Sequence, residues 1–563
     1  MDRRLLLAIG LMLIVAVLPS ILWPPERPSP DAAARAGQDS AAPRETPQVA
    51  LAPETVFVAP EADQARPTAV PTDSVPLRIV DVESDLYRYE FSSRGARLTG
   101  AALRAYRSFA PGDSGTAQVI PDDSDFLAYK VIVGSDTVAL ADWTFEPDRE
   151  TVAVPAEGEA TLNWSGRRGN LVVRLAYVFR PGTYMFDVRG EVEGVDAAVI
   201  SVGLGPRLRS VDADTGLDIQ AYGVVTKSRS TERLNFSSLD PDERRELTGP
   251  FEWVAIKSKY FVAAVFADAE GQPRFGGVVA VGRPRTGRLA TEAGTVASLP
   301  APGGRFSHSV WVGPQESTRL KRVGRGFDDV NPYGWFLRPV IRPFVNYLIM
   351  PVLLWMHQSL NLAYGWVLIL FGIMVRLVLW PLNQKAMRAS TAMQAIQPEV
   401  KALQERHKQD PAKLQQEMMK LYKLHGVNPL GGCLPMLIPM PVLFALFFVF
   451  ANTIEFRGVE FLWLPDLSRA DPLYIIPILM GASMYAVTKL GQRGVPPNPQ
   501  AKMMTYIMPP LFTLLFLKFS AGLNLYYAVS NLASIPQQWM ISNERIARLG
   551  PGGGKGGGGP KDA

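Results

Sequence analysis

The sequence predicts a polytopic α-helical membrane protein, an N-terminal anchor plus a five-helix core, carrying a large water-exposed β-sandwich domain. Three observations predict it. Charges of both signs are frequent from Pro24 to about Arg342, whereas Phe344 to Asn543 contains long runs with none. The average of these two populations is a mean hydropathy of +0.06, with 47% hydrophobic and 20% charged residues. That is too polar for a bare membrane bundle and too apolar for an ordinary soluble enzyme. Short alternating β-rich runs also crowd the first half. At 563 residues a chain holds three or four domains of about 150 residues each. The composition excludes a disordered, collagen-like or disulfide-rich chain. The single cysteine, Cys433, has no partner for an intramolecular disulfide. Four histidines, at 308, 357, 407 and 425, are too scattered for metal-site spacing, so neither a metal nor a cofactor is expected.

The chain opens with Met1-Asp2-Arg3-Arg4 and an uncharged run from Leu5 to Pro25. The run is longer than a signal-peptide core and lacks a nearby small-x-small site. We read residues 1–23 as an uncleaved anchor, with Arg3 and Arg4 holding the N-terminus in the cytoplasm. Residues 24–76 contain eleven prolines. Such a stretch buries no core and prefers extended geometry. It serves equally as a tether or as low-complexity filler.

The β domain is expected over 77–325. Leu171–Phe179 and Tyr184–Val192 alternate, and Arg180-Pro181-Gly182-Thr183 between them reads as the turn of a hairpin. Short strands recur around 77–82, 86–91, 128–133, 199–203, 260–266, 274–281 and 306–312. Many short strands with Gly/Pro turns point to a sandwich. A sugar-processing enzyme on such a fold needs a carboxylate with a histidine or a second carboxylate in a cleft. His308 is the one histidine here, and the carboxylates read as solvated charges, as in Asp240-Pro241-Asp242-Glu243. No catalytic residue is expected. Trp253, Tyr260 and Phe261 read as sandwich core rather than a sugar platform.

The membrane part follows. Arg338 and Arg342 among Trp335, Phe336, Phe344 and Tyr347 suit an amphipathic helix lying in the interface over 333–358. The core, 359–543, has spans expected at about 363–383, 429–452, 472–489, 503–519 and 521–542, by the rule of about 20 apolar residues per span. Prolines 429, 435, 439 and 441 interrupt the second span, and the uncharged run 503–517 is short for a bilayer. The loop 384–427 holds eight basic and four acidic residues, whereas 453–471 has Arg457 and Arg469 as its only basic ones. Both termini and the basic loops are therefore expected in the cytoplasm, with the β domain opposite. Residues 384–427 read as a helical hairpin. Asp410-Pro411 starts its second helix and Gly426 ends it. The hairpin either fixes topology or docks a ribosome or anionic lipid through Lys401, Arg406, Lys408 and Lys413. The Gly-rich tail occupies 544–563.

Arg376 is out of place. A mid-span arginine costs about 2.5–3.5 kcal/mol on insertion scales. It lies nine residues before Lys385, about 13 Å at 1.5 Å per residue, so snorkelling is one escape. A buried acid is the usual one, but the five expected spans contain no Asp or Glu. The other escape is a hydrated cavity open to the cytoplasm that receives an anionic or polar visitor. Asn524, Ser530, Asn531 and Ser534 recur along the last span. They line such a cavity or simply hydrogen-bond between helices. The lack of intramembrane acids speaks against a proton-coupled transporter, and no polar rings suggest a channel.

These residues carry a family likeness. Gln415–Tyr422, Val427–Pro435, Leu464-Pro465-Asp466-Leu467-Ser468, Asp471-Pro472, Pro477–Gly481 and Gly522–Asn531 together resemble the YidC family of bacterial membrane protein insertases, in its form with a large periplasmic domain. The likeness covers nearly the full length. It implies an inner-membrane insertase and chaperone for newly made transmembrane segments, without covalent chemistry, acting alone or with the Sec translocon. It implies that Arg376 sits in a hydrophilic groove that takes the polar part of a nascent membrane protein, and that Tyr527 is functionally sensitive. Family members often have a hydroxyl one turn before the arginine, where Gly372 stands here. Cys433 matches a position near substrate, though span packing is the simpler role. Implied partners are nascent membrane proteins, the Sec translocon, membrane lipids and the ribosome, and not DNA. The ribosome contact is weak and runs mainly through the hairpin, because the tail is mostly glycine.

Overall fold

The structure is a computed structural model of the chain. It describes residues 77–268, 274–285, 290–331, 338–408, 410–426, 440–494 and 499–549. The expected anchor, the linker, Cys433 and the first part of the 429–452 span lie outside the described residues. Pro381–Ile438 belong to one compact unit, Val56–Trp380 with Pro439–Ala563 to the other.

The β domain has two layers, because alternating strands present one apolar face each. A nine-stranded sheet runs in the order Thr231–Asn235, Gly223–Lys227, Trp253–Lys257, Phe261–Ala267, Arg305–Pro314, Met185–Glu193, Leu171–Phe179, Ala160–Arg168 and Glu146–Pro147. The expected hairpin is at its centre. Phe179 pairs with Phe186, and Gly182 takes the left-handed turn position at φ 70°. A six-stranded sheet (from Arg244–Phe251 to Asp136–Ala139) and a five-stranded sheet (from Thr116–Gln118 to Thr151–Ala153) make the other layer. Aromatic side chains fill the interior. Phe91 meets Phe186 edge-on at 5.9 Å, and the Tyr89 hydroxyl donates to the Val312 carbonyl across the layers. Trp253, Tyr260 and Phe261 are buried in this core, as expected. So is His308, its Nε2 at 3.0 Å from the Tyr129 hydroxyl. Burial pushes its pKa down to about 4, so it is neutral at neutral pH.

Two short helices, α1 (Thr215–Ala221) and α2 (Ser317–Val323), decorate this domain. Phe327 and Val330 carry its core past the expected limit at 325. Next come α3 (Arg338–Phe344) and α4 (Met350–Leu360), joined by a π-helical turn at Val345–Ile349. Pro343 and Pro351 bracket that turn, and neither can donate to the helix ladder. One face buries Ile341, Val345, Ile349 and Leu353, while Tyr347, Leu348 and Trp355 face outward. Over its described part, the segment expected to be amphipathic at 333–358 is two-faced; Trp335 and Phe336 lie outside the described residues. Arg342 turns to Asp329 at 3.3 Å and Asp328 at 3.6 Å rather than to a lipid surface.

Asn361 ends α4 in the left-handed conformation, φ 49°. Helix α5 (Tyr364–Ala395) then continues well past the expected span end at 383. The hairpin therefore begins later than expected, with α6 (Gln397–Arg406) and α7 (Pro411–Leu424). Helix α8 (Met440–Asn452) is followed by α9 (Ile475–Gly491). The expected 503–519 span is two pieces, α10 (Pro499–Tyr506) and α11 (Met508–Phe516), because Pro509 and Pro510 cannot continue the helix ladder. Helix α12 (Ala521–Leu549) outruns its expected end at 542 and takes in the start of the expected Gly-rich tail. Among the described residues, α5 has the length and apolarity to cross a membrane alone, over Tyr364–Ala389, and α9 is a shorter apolar helix.

Candidate functional site

Helix α5 is two-faced. Trp366, Leu370, Ile373 and Leu377 form an exposed apolar stripe at helical spacing, while Val367, Leu368 and Phe371 are buried. The buried face meets α12 closely, because Gly372 has no side chain. A Cβ there would lie 3.3 Å from Val529 Cγ1 and 3.5 Å from the Tyr526 ring. The missing hydroxyl at Gly372 is thus a helix-packing position. One turn on, Arg376 reaches α12. Its Nε–H is shared between the Ser530 carbonyl oxygen and Ser530 Oγ, both at 2.9 Å. Among the described residues no carboxylate pairs with Arg376. Polar atoms of α12 meet part of the need that the sequence left to water or a visitor.

The other expected groove residues divide by use. Tyr527 flanks Arg376, half-buried, with its ring 5.9 Å from Phe516. Asn524 is fully buried, and its Nδ2 donates to the Phe516 carbonyl at 3.0 Å, closing the end of α11. Asn531 donates to Ser483 Oγ at 3.2 Å, and Ser534 Oγ to its own helix at Asn531 O, 2.6 Å. These three have the interhelical or intrahelical bonding that was the alternative to lining a cavity. Arg376, Ser530 and Tyr527 are the cluster that the fold brings together.

Sequence reading missed the continuation of this polar line. Gln537 donates to the Trp380 carbonyl at 2.8 Å. Ser542 donates to Leu490 O at 2.7 Å, and Arg545 to Gly491 O at 2.8 Å and Arg493 O at 3.2 Å. Those carbonyls lie at and just beyond the C-terminal end of α9, where a cation is favoured. The signal was available: Asn524, Asn531, Gln538 and Arg545 recur every seven residues, which keeps them on one side of a helix.

The hairpin is built as expected. Asp410 Oδ1 accepts the Lys413 amide at 3.0 Å, Pro411 opens α7 and Gly426 follows it at φ 60°. His425 Nε2 and Glu399 Oε2, 3.0 Å apart, join the two helices. Lys401, Arg406, Lys408 and Lys413 are all exposed.

A second unforeseen feature is the seam between the segment after α8 and the β domain. Ile454 enters the β-domain core. Arg457 fills a socket there, its side chain 2% exposed. Nε donates to Asp212 at 2.6 Å, Nη1 to Arg107 O at 2.9 Å and Nη2 to Val211 O at 2.8 Å. Its guanidinium carbon stands 4.6 Å from the centre of the Phe109 ring. Glu455 is half-buried and accepts the Ser317 amide at 3.0 Å. Asn331 links Lys257 Nζ, at 2.7 Å, to the Asn452 carbonyl at the end of α8, at 3.3 Å.

Comparison with known proteins places these parts. Residues 79–347 match the YidC periplasmic domain family, and 355–548 the 60Kd inner membrane protein family. Among curated relatives, the membrane protein insertase YidC of Ralstonia nicotianae is 32% identical over 531 residues, covering 89% of this chain and 90% of that protein. The YidC of Chloroherpeton thalassium is 30% identical over 507 residues, covering 82% of each. Among solved structures, an active YidC insertase with its first transmembrane domain resolved is similar at 19% identity and TM-score 0.33, covering 82% of this chain and 94% of that one. A galactose mutarotase-like protein from Lactobacillus casei is similar at 10% identity and TM-score 0.28, covering 42% of this chain and 99% of its own. On the two family matches and the near full-length relatives, the chain belongs to the YidC family of membrane protein insertases: a non-enzymatic inner-membrane protein with a periplasmic domain, whose substrates are nascent membrane proteins.

Proposed function

We propose that insertion proceeds along a polar surface centred on Arg376, Ser530 and Tyr527. The observation that carries this reading is a guanidinium on a membrane-crossing helix whose bonds among the described residues run to one serine of α12 and to no carboxylate. A charge so placed costs about 2.5–3.5 kcal/mol on insertion scales, and an acidic or polar client segment beside it lowers that cost. The client's apolar part then leaves along the exposed faces of the core helices into lipid. Five spans after an N-terminal anchor, with both termini and the basic loops in the cytoplasm, place this surface within reach of a newly made chain. The exposed cations of the hairpin, Lys401, Arg406, Lys408 and Lys413, contact anionic lipid and, weakly, the ribosome. The protein acts alone or beside the Sec translocon.

The test is insertion of single-span clients into liposomes by purified Arg376 variants. Arg376→Ala lowers insertion of clients with acidic translocated tails by about tenfold or more, the factor expected from a charge-assisted hydrogen bond of about 1.5–3 kcal/mol. Clients with neutral tails suffer less. Arg376→Lys retains much of the activity, since it keeps the point charge while losing the fork. Undiminished insertion of acidic-tailed clients by Arg376→Ala, with no crosslink from position 376 to a stalled client, leaves the arginine as a snorkelling residue and ends this reading.

A further inference from the structure

The segment between α8 and α9 contains Leu464–Ser468 and Asp471-Pro472, residues the groove does not use. Two of its carboxylates turn inward, while Glu460 and Arg469 stay exposed. Asp471 is fully buried and accepts from the Ile476 amide at 2.7 Å, the Leu473 amide at 3.0 Å and Trp463 Nε1 at 3.2 Å. Asp466 holds the Ser468 amide at 2.8 Å and its hydroxyl at 2.7 Å. Phe461, Leu464 and Leu467 are buried, but four large apolar side chains turn outward: Leu462 is 70% exposed, Leu473 59%, Tyr474 51% and Trp463 38%. Leu462 and Tyr474 hold φ of 55° and 57°, a left-handed backbone that bulky side chains adopt only when their surroundings impose it. At this corner the usual order of a water-facing loop is reversed, with a carboxylate inside and large apolar groups outside, and it is built around the Asp471 hub rather than left loose.

The corner is continuous with the apolar stripe of α5. Phe461 pairs with Leu464 in a small bridge and meets the Trp366 ring edge-on at 5.5 Å. Trp366 is the first residue of that stripe. Trp463 has its indole N–H already bonded to Asp471, so its ring can enter an apolar zone without stranding a donor.

We propose that this corner, Leu462 with Trp463, Leu473 and Tyr474, is a lipid-inserting wedge at the headgroup–acyl boundary of the periplasmic leaflet. Its occupant is phospholipid. Aromatic rings at such a boundary anchor the depth of the helices they adjoin, here α5 and α9. This placement rests on the topology proposed above.

The experiment uses the full chain in liposomes, with Cys433→Ala and one environment-sensitive fluorophore on a new cysteine. Lipids brominated near the headgroup or deep in the acyl chain are the quenchers. Labels at Leu462→Cys and Tyr474→Cys are quenched by the shallow lipid at least about twofold more than a label at Ala470→Cys, which lies on the exposed part of the same segment. A label at Ile373→Cys is quenched by the deep lipid. If 373 is quenched and 462 and 474 behave like 470, the wedge is overturned and the membrane reading stands. If 373 is not quenched either, both fall. Quenching at 462 that disappears as protein density in the liposomes rises identifies a second copy as the occupant and overturns the lipid assignment.

Discussion

Arg376 and Arg457 are both arginines in apolar surroundings, and they resolve their charge in opposite ways. Arg457 has a carboxylate, two carbonyls and an aromatic face within reach. Removing it strands a buried Asp212, a loss of about 3–5 kcal/mol for a broken buried pair. Arg457→Ala therefore lowers the unfolding temperature of the purified protein clearly, and Arg457→Lys falls between, because an ammonium cannot fill three directions at once. An Arg457→Ala protein that melts like the parent contradicts this account of the socket. Arg376 lacks that enclosure, and the folding cost of its loss is correspondingly small. Glu455 adds a pH dependence to the seam. Burial, with the charge of Glu316, pushes its pKa up to about 7 from 4.5. The folded state thus binds the proton more tightly than the unfolded one. The stability it contributes is full below about pH 4.5 and is lost as pH rises through about 7. Melting of the parent weakens between about pH 5 and about pH 8 on this account, and Glu455→Gln flattens that slope. Arg376 was legible because a charge in an uncharged run is a local signal. Arg457 was not, since its partner Asp212 lies 245 residues away and no periodicity joins them.

Elements were legible to the degree that their pattern was local. The hairpin strands Leu171–Phe179 and Met185–Glu193, the Asp410-Pro411 start of α7 and the amphipathic α3–α4 pair follow from alternation, capping and a two-faced stripe. Helix ends were misjudged where hydrophobicity stopped before the helix did. Helix α5 continues beyond 383 and α12 beyond 542, since polar helix formers extend a helix into water as readily as apolar ones. The break between α10 and α11 was read as a short span, because a composition window averages over the prolines that cause it. Close packing was also hidden from the sequence. A Cβ on Gly481 of α9 would overlap the Thr513 side chain of α11, so Gly481→Leu destabilises the core by about 1–3 kcal/mol. Thr513→Ala in the same protein recovers part of that loss, as thermal melts of the two variants will show. For the hairpin, reversing Lys401, Arg406, Lys408 and Lys413 to Glu weakens client recruitment most at low salt, where screening is less than the ~8–10 Å Debye length of physiological solutions allows. Unchanged ribosome binding and unchanged insertion leave the cations as topology determinants alone.

Across the whole molecule, the Arg376 cluster joins α5 to α12, and insertion is therefore expected not to need the β domain. The seam refines that expectation. Deleting 77–310 while keeping the anchor and α3–α4 leaves insertion of simple clients largely intact, because the Arg376 cluster draws on α5 and α12 alone. It also empties the partners of Ile454 and Arg457, so the segment after α8 loosens and trypsin cuts at Arg457 and Arg469 much faster than in the parent. Loss of insertion by a stably expressed deletion, or unchanged protection of those two sites, contradicts this division of labour. The seam has a mechanical side too. The segment that enters the β domain leaves α8 at Asn452 and delivers the chain to α9 at Ile475. A strand-rich body gripped at Arg457 therefore works as a handle. Any load applied to it from the cell envelope, by crowding or by a partner pulling sideways, is passed as a torque to two helices of the core.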